Sequence, residues 1–352
     1  MFILLKPGCT PEQRTRVLRT IESAGLAIEV SEGHHRIVIG VVGDEDCLRH
    51  VPIETYDGVE RVVRLRRPYR LAAREIHPED TVVSVGGADG AGRQETAATK
   101  IGTGLTIIAG PCAVEDPDRL LALAREAKDA GATILRGGAF KPRTTPYDFR
   151  GLAERGLKVL REVADEVGLP VVTEAMDPRQ LETVAEHADM IQIGTRNMQN
   201  FPLLEEAART DRPILLKRGR AATITEWLCA ADYVIHAGNS RIVLCERGLV
   251  SFDDAVRNHL DLSCVPLVKR LSHLPIVVDP SHGTGRSELV SPMARAAIAA
   301  GADGIMVEVH GDPTHAKSDA RQQILPDELY RLVPQLLAIR EIVAQERVEV
   351  PS

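Results

Sequence analysis

Beyond residue 104 the chain alternates short, nearly continuous apolar runs with longer stretches in which apolar residues return every third or fourth position. The runs are LTIIAG (105–110), TILRG (133–137), PVVTEA (170–175), MIQIG (190–194), ILLKRG (214–219), RIVLCERG (241–248), PIVVDPSH (275–282) and GIMVEVH (304–310). Runs that are apolar on both faces fit strands of a parallel sheet covered by helices. Boundary signals mark the helices between them. Asp116 and Pro117 open one that Gly131 ends, Asp177 and Pro178 open another, and Thr223 with Glu226 forms a capping box ahead of WLCAADYVIHAG. Eight or so strand–helix units in roughly 230 residues predict an α/β fold of the (β/α)8 TIM-barrel type, spanning 104–345. A doubly wound open sheet is the competing layout and rarely needs so many units.

The first 70 residues follow another pattern. FILLK (2–6) reads as a strand, and Thr10 with Glu12 opens an amphipathic helix that runs to Gly25. AIEVS and HRIVIGVVG (35–43) read as two strands joined at Glu32 and Gly33, Asp44 to His50 as a short helix, and VERVVRLR (59–66) as a last strand. The order β-α-β-β-α-β predicts a small ferredoxin-like α+β domain over 1–70. Residues 71–103 read as a connector, with one or two short strands and a stretch rich in Gly, Ala and Thr.

A net charge of -7 with aromatics at only 3% argues against a nucleic-acid surface. No apolar run approaches the ~20 residues of a membrane helix. The six cysteines include no C-x-x-C pair and no secretory segment opens the chain, so a reduced, cytoplasmic protein is expected.

Against this acidic background TILRGGAFKPRTTPY (133–147) is a basic exception. Gly137 and Gly138 break the strand, and Arg136, Lys141 and Arg143 gather with Thr144 and Thr145 where a phosphate or carboxylate could be held. A solvated basic loop is the plain alternative. The other strand ends weigh against it: Cys112, Glu174, Arg196, Lys217, Glu246, Arg247, His282 and Glu308 all fall at or just past the end of a run, the rim where a barrel keeps its chemistry. Cys112, His282 and Glu308 are ligand types for Zn, Mn or Fe, with a fourth carboxylate from Asp312 or Asp319. Taken singly, Cys112 reads as a buried apolar residue and His282 as a loop histidine. Glu308, inside an apolar strand, needs a partner, and a cation is the simplest one. Six cations, Arg136, Lys141, Arg143, Arg196, Lys217 and Arg247, would repel one another at one mouth unless the substrates carry several negative charges.

GPC (110–112), LRGGAFKPRT (135–144), QIGTRNMQN (192–200), LLKRG (215–219), LCERG (244–248) and VDPSHGTGR (278–286) together resemble 3-deoxy-D-arabino-heptulosonate 7-phosphate (DAHP) synthase of class I, in the subgroup with a ferredoxin-like domain ahead of the barrel. The resemblance implies condensation of phosphoenolpyruvate with erythrose 4-phosphate and water to DAHP and phosphate, the first step of the shikimate pathway to aromatic amino acids. It implies a divalent ion (Mn, Fe, Zn or Co) on Cys112, His282, Glu308 and Asp319, the last by the match KSDARQ. It implies phosphoenolpyruvate on Arg136, Lys141, Arg196, Lys217 and Arg247, and the sugar phosphate on Arg143, Thr144 and Lys141. The expected catalytic residues are Lys141, Glu174, Lys217 and His282, with Glu174 orienting or deprotonating the attacking water and Lys217 giving a proton. A homotetramer and an aromatic amino-acid effector at 1–70 are also implied. Two alternatives remain: the sister enzyme that uses arabinose 5-phosphate, which typically carries K-A-N-R where this chain has Lys141, Pro142 and Arg143, and a non-catalytic metabolite-sensing barrel, which would have lost ligands that are all present here.

Overall fold

The computed structural model describes residues 1–32, 37–43, 45–63, 68–87, 96, 98–143 and 145–348. They fall into two compact units, Met1–Pro78 and Glu79–Ser352.

The first unit contains β1 (Phe2–Leu5), α1 (Pro11–Ser23), β2 (Ala27–Glu32), β3 (Ile37–Val42) and β4 (Val59–Val63). Its antiparallel sheet has the order β2-β3-β1-β4, with β1 central and buried on both faces. Ile3, Leu5, Val17, Ile21, Ile39 and Val41 build its core. Thr10 caps α1 in a capping box whose reciprocal partner is Gln13; Glu12 only sits in the first turn. The second expected helix, Asp44 to His50, is replaced by single 3-10 turns at Glu45–Leu48 and Ile53–Thr55. Pro52 stands between them, and a proline both lacks the N–H a helix needs and disfavours helical backbone before it. Asp44, residues 33–36 and residues 64–67 lie outside the described residues.

The second unit opens with an antiparallel hairpin, β5 (Val83–Val85) and β6 (Thr99–Ile101), within the expected connector. Then follow β7 (Thr106–Gly110), α2 (Pro117–Asp129), β8 (Ile134–Arg136), α3 (Ala153–Val167), β9 (Val171–Ala175), α4 (Leu181–His187), β10 (Met190–Ile193) and α5 (Phe201–Ala208). The chain continues through β11 (Ile214–Lys217), α6 (Ile224–His236), β12 (Ile242–Glu246), α7 (Cys264–Leu271), β13 (Ile276–Val278), α8 (Pro280–Thr284), α9 (Ser287–Ala299), β14 (Gly304–Glu308) and α10 (Pro326–Val348). Strands β7 to β14 close into a parallel barrel, β14 pairing back onto β7 from Gly304↔Thr106 to Glu308↔Gly110. Asp116, Thr223 and Gly168 supply caps where the sequence offers them. Among the described residues no helix is long and apolar enough to cross a membrane.

The barrel interior is layered. Ile108, Ile134, Val172, Met190, Leu215, Val243, Val277 and Met306 form one core, which Val83, Val85 and Ile101 of the hairpin join. Strand side chains alternate with period two, so the next inward position toward the C-terminal end is Arg136, Glu174, Gln192, Lys217, Asp279 or Glu308 in six strands; β7 has Gly110 there, and in β12 Arg247 follows Cys245. Seven of the eight strands bring a polar side chain to this level. The apolar layer thus fixes the barrel, and the layer above it is free for chemistry.

Candidate active site

The polar layer opens into a cavity of about 260 Å³ whose wall includes Lys141, Arg143, Glu174, Gln192, Arg196, Lys217, Arg247, Arg257, His282 and Asp319. On one side of it Cys112, His282, Glu308 and Asp319 each present one ligand atom, all within 4.8 Å of one another. Asp312 is committed elsewhere: Thr314 Oγ1 donates to it at 2.6 Å, and His315 Nδ1 lies 2.6 Å from its other oxygen.

Local structure explains the convergence. Asp279 caps α8 by accepting the backbone N–H of His282 at 2.9 Å, and its Oδ2 lies 2.8 Å from His282 Nδ1. With Nδ1 so engaged, Nε2 is left facing Glu308 Oε1 at 3.4 Å and Asp319 Oδ2 at 3.9 Å. Asp319 sits in left-handed backbone, φ 49° and ψ 38°, a conformation that costs a non-glycine residue about 1–3 kcal/mol. Glu308 ends β14 and accepts from Arg136 Nη1 at 2.5 Å and Gln322 Nε2 at 2.6 Å. Cys112 Sγ accepts from Lys141 Nζ at 3.0 Å and lies 2.9 Å from Ser318 Oγ.

Electrostatics favour a cation there. Burial, then the charges of Glu308 and Asp319, push the Cys112 thiol up to about 12 against the pull of Lys141. Burial keeps His282 below its ordinary value, despite Asp279 and Glu308, so the imidazole is neutral and its Nε2 lone pair is available. Burial alone would raise Glu308, but the charges of His282, Arg136 and Lys141 hold it below the usual carboxylate range; the direct bond from Arg136 sustains that direction with a neutral imidazole too. A thiol, a neutral imidazole and two carboxylates form a donor set that fits a first-row divalent ion.

The other side of the cavity is cationic. Lys217 Nζ donates to Asp279 Oδ2 at 2.5 Å, and Lys141 Nζ also donates to the Cys112 carbonyl at 2.9 Å. Arg247 is 4% exposed, and its Nη1 has no hydrogen-bond partner among the described residues. Burial depresses its pKa, and Arg257 and Arg220 add to that while Asp279 opposes it. A buried guanidinium in that position calls for an anion. Arg143 donates through Nε to the Phe149 carbonyl at 2.8 Å and through Nη2 to Ser318 Oγ at 2.6 Å. Arg196, on the 3-10 turn Thr195–Asn197, reaches the Pro142 carbonyl at 3.5 Å. Glu174 accepts from Gln192 Nε2 at 3.2 Å, in space that exists because residue 194 is glycine: a Cβ there would lie 1.9 Å from Glu174 Oε1. Thr144 lies outside the described residues.

Glu246 does not share this rim. Cys245 and Arg247 point inward, so Glu246 points out; fully buried, it accepts from Arg218 Nη1 at 3.0 Å and from the Gly248 N–H at 2.6 Å. The sequence pattern alone gives no role to Asp279 and Gln192, although both stand two residues beyond an inward apolar position. Ser318, Arg257 and Gln322 sit in irregular segments where no such periodicity exists.

Residues 89–345 match the family described as DAHP synthetase I, and residues 1–67 match the DAHP synthase ferredoxin-like domain. The chain belongs to the DAHP synthetase I family. It is therefore an enzyme of the DAHP synthase kind, 50% identical to the phospho-2-dehydro-3-deoxyheptonate aldolase of Thermotoga maritima over 92% of this chain and 93% of that one. The crystal structure of the Thermotoga maritima DAHP synthase matches the fold with a TM-score of 0.73 at 47% identity, covering 97% of both chains. A truncated form of the Thermotoga maritima synthase matches with a TM-score of 0.69 at 48% identity, covering 78% of this chain and 97% of its own. Similarity to the 2-dehydro-3-deoxyphosphooctonate aldolase of Koribacter versatilis is lower, 31% identity over 69% of this chain and 93% of that one.

Proposed function

We propose that this DAHP synthetase I family member condenses phosphoenolpyruvate with erythrose 4-phosphate and water, giving DAHP and phosphate at the entry to the shikimate pathway. The observation that carries the proposal is that one mouth holds both a four-donor ligand group and the buried Arg247, whose Nη1 has no hydrogen-bond partner among the described residues. A divalent Mn, Fe, Zn or Co ion on Cys112, His282, Glu308 and Asp319 supplies Lewis-acid polarisation of the aldehyde oxygen. Arg136, Lys141, Arg196, Lys217 and Arg247 hold the phosphate and carboxylate of phosphoenolpyruvate, and Arg143, Thr144 and Lys141 hold the sugar phosphate. This leaves C3 of the enol ether beside the aldehyde carbon. As that bond forms, positive charge develops at C2. Glu174 orients the water that adds there and takes one of its protons, and the alkoxide formed from the aldehyde oxygen takes up a proton. The C2–O bond to phosphate breaks as the added hydroxyl gives up its proton and becomes the C2 ketone, with Lys217 as proton donor to the departing phosphate oxygen. His282 keeps its proton on Nδ1 through Asp279.

The four-carbon sugar is favoured over arabinose 5-phosphate by Pro142 between Lys141 and Arg143, and by the 50% identity to a heptonate aldolase against 31% to an octonate aldolase. Family membership also supports a homotetramer and an aromatic amino-acid effector at the first domain. The test is joint measurement of phosphate release and DAHP formation. Activity is expected with erythrose 4-phosphate well above arabinose 5-phosphate, lost in a chelator and restored by Mn. A metal-loaded protein that forms no DAHP refutes the reading.

A further inference from the structure

Asp279 stands between the ligand group and the cationic wall, yet belongs to neither. It follows the last residue of β13 at an inward position and is 1% exposed. Five hydrogen bonds hold it in place, one of them the Gly283 N–H donating to its carbonyl at 3.0 Å. Its N–H donates to the Glu246 carbonyl at 2.8 Å, and its Oδ1 accepts the backbone N–H of His282 at 2.9 Å. The same Oδ2 takes the other two: His282 Nδ1 lies 2.8 Å away and Lys217 Nζ donates at 2.5 Å. One buried oxygen therefore serves a metal-ligand imidazole and an ammonium aimed at the anion cavity.

We infer that Asp279 is a positioning residue with a double duty: it fixes the His282 tautomer that presents Nε2 to the ion, and it anchors the Lys217 ammonium where phosphoenolpyruvate binds. This rests on the reading of the site given above. The carboxylate is needed because every group that faces it is a donor: His282 Nδ1 and Lys217 Nζ at Oδ2, the His282 backbone N–H at Oδ1. An asparagine in its place must put its NH2 at one of these two positions. If the NH2 takes the Oδ2 position it faces Nδ1 and Nζ together: the imidazole proton moves to Nε2 and the ligand atom is lost, the wrong-tautomer failure known from catalytic triads, and Lys217 is displaced. If it takes the Oδ1 position it opposes the His282 backbone N–H, and the cap that holds His282 is lost.

The experiment titrates Mn into metal-free protein, and phosphoenolpyruvate into protein saturated with Mn, for the native chain, Asp279→Asn, Lys217→Met and the double variant. Asp279→Asn is expected to lose about 10–100-fold in Mn affinity and about tenfold in phosphoenolpyruvate affinity. Lys217→Met should weaken only phosphoenolpyruvate. In the double variant the phosphoenolpyruvate loss should be no greater than in Lys217→Met alone, while the Mn loss persists. Non-additivity on one ligand but not the other is a pattern that general loosening of the barrel does not produce. Mn affinity of Asp279→Asn within about twofold of native, or additive phosphoenolpyruvate losses, overturns the inference. Should Asp279→Asn not fold, Asp279→Glu keeps the buried charge and moves it by one methylene. About tenfold weaker Mn binding is then expected, and native affinity overturns the proposal. If the native chain binds Mn and phosphoenolpyruvate and the variants give these contrary results, the Asp279 role alone fails, whereas a native chain that binds neither ligand overturns both it and the reading of the site.

Discussion

A thiol pushed up to about 12 holds its proton at neutral pH, so an ion arriving at Cys112 must displace that proton. The imidazole of His282, depressed by burial, contributes none there. The sign follows: apparent Mn affinity should rise with pH, roughly tenfold per unit above neutral, with about one proton released per ion. Calorimetry in two buffers of different ionisation heat measures that proton directly, and a buffer-independent heat would disprove it. Glu174 gives a second prediction. Glu174→Gln should lower kcat about a hundredfold or more with metal content unchanged. Gly194→Ala, whose Cβ would intrude on the Glu174 carboxylate, should act the same way. Native kcat in Glu174→Gln removes that residue from the mechanism. Residue types at strand ends were readable in the sequence because an inward apolar position predicts where the next inward side chain falls. Asp279 was equally placed and was still missed, since its meaning lies in two partners that are distant in sequence from each other. The outward turn of Glu246 follows from the same period-two rule.

At the scale of elements, the apolar runs mark each barrel strand, because burial on both faces leaves a signal that needs no tertiary knowledge, and capping residues mark the starts of α1, α2 and α6. The second crossover of the first unit is built of 3-10 turns instead of one short helix, and Pro52 between them bars a continuous helix through both. Turn geometry was illegible as well: nothing local announces that Asp319 takes left-handed backbone. Glycine at a close approach is different. Gly110, at φ +152°, ends β7 where a Cβ would come within 2.1 Å of the Arg136 carbonyl oxygen, a backbone atom with no room to yield. Gly110→Ala should therefore cost about 3 kcal/mol or more, read as a lower urea midpoint with an unchanged slope. A midpoint within error of native would mean that β7 and β8 tolerate a separation the structure does not show.

For the whole molecule, the chain divides between Pro78 and Glu79 into two compact units. The hairpin of β5 and β6 falls where the sequence suggests one or two short strands, but three-residue strands are too short to show a period that would tie them to the barrel. Its Val83, Val85 and Ile101 nevertheless share the barrel core. Residues 79–352 should accordingly keep turnover when expressed without the first unit, whereas Tyr, Phe or Trp should bind the intact chain alone. Isothermal titration of both proteins checks this, and the effector idea fails if neither binds any of the three.

Barrel closure by β14 on β7 has a consequence for how the enzyme comes into being. Cys112 and Asp319 are 207 residues apart, with nearly the whole barrel between them. A nascent chain halted at any point before Asp319 lacks the last donor, so partial translation products cannot assemble the four-donor centre. An ion held by all four donors would therefore be captured only after Asp319 has been made and β14 has closed on β7, so full metal loading would report barrel closure.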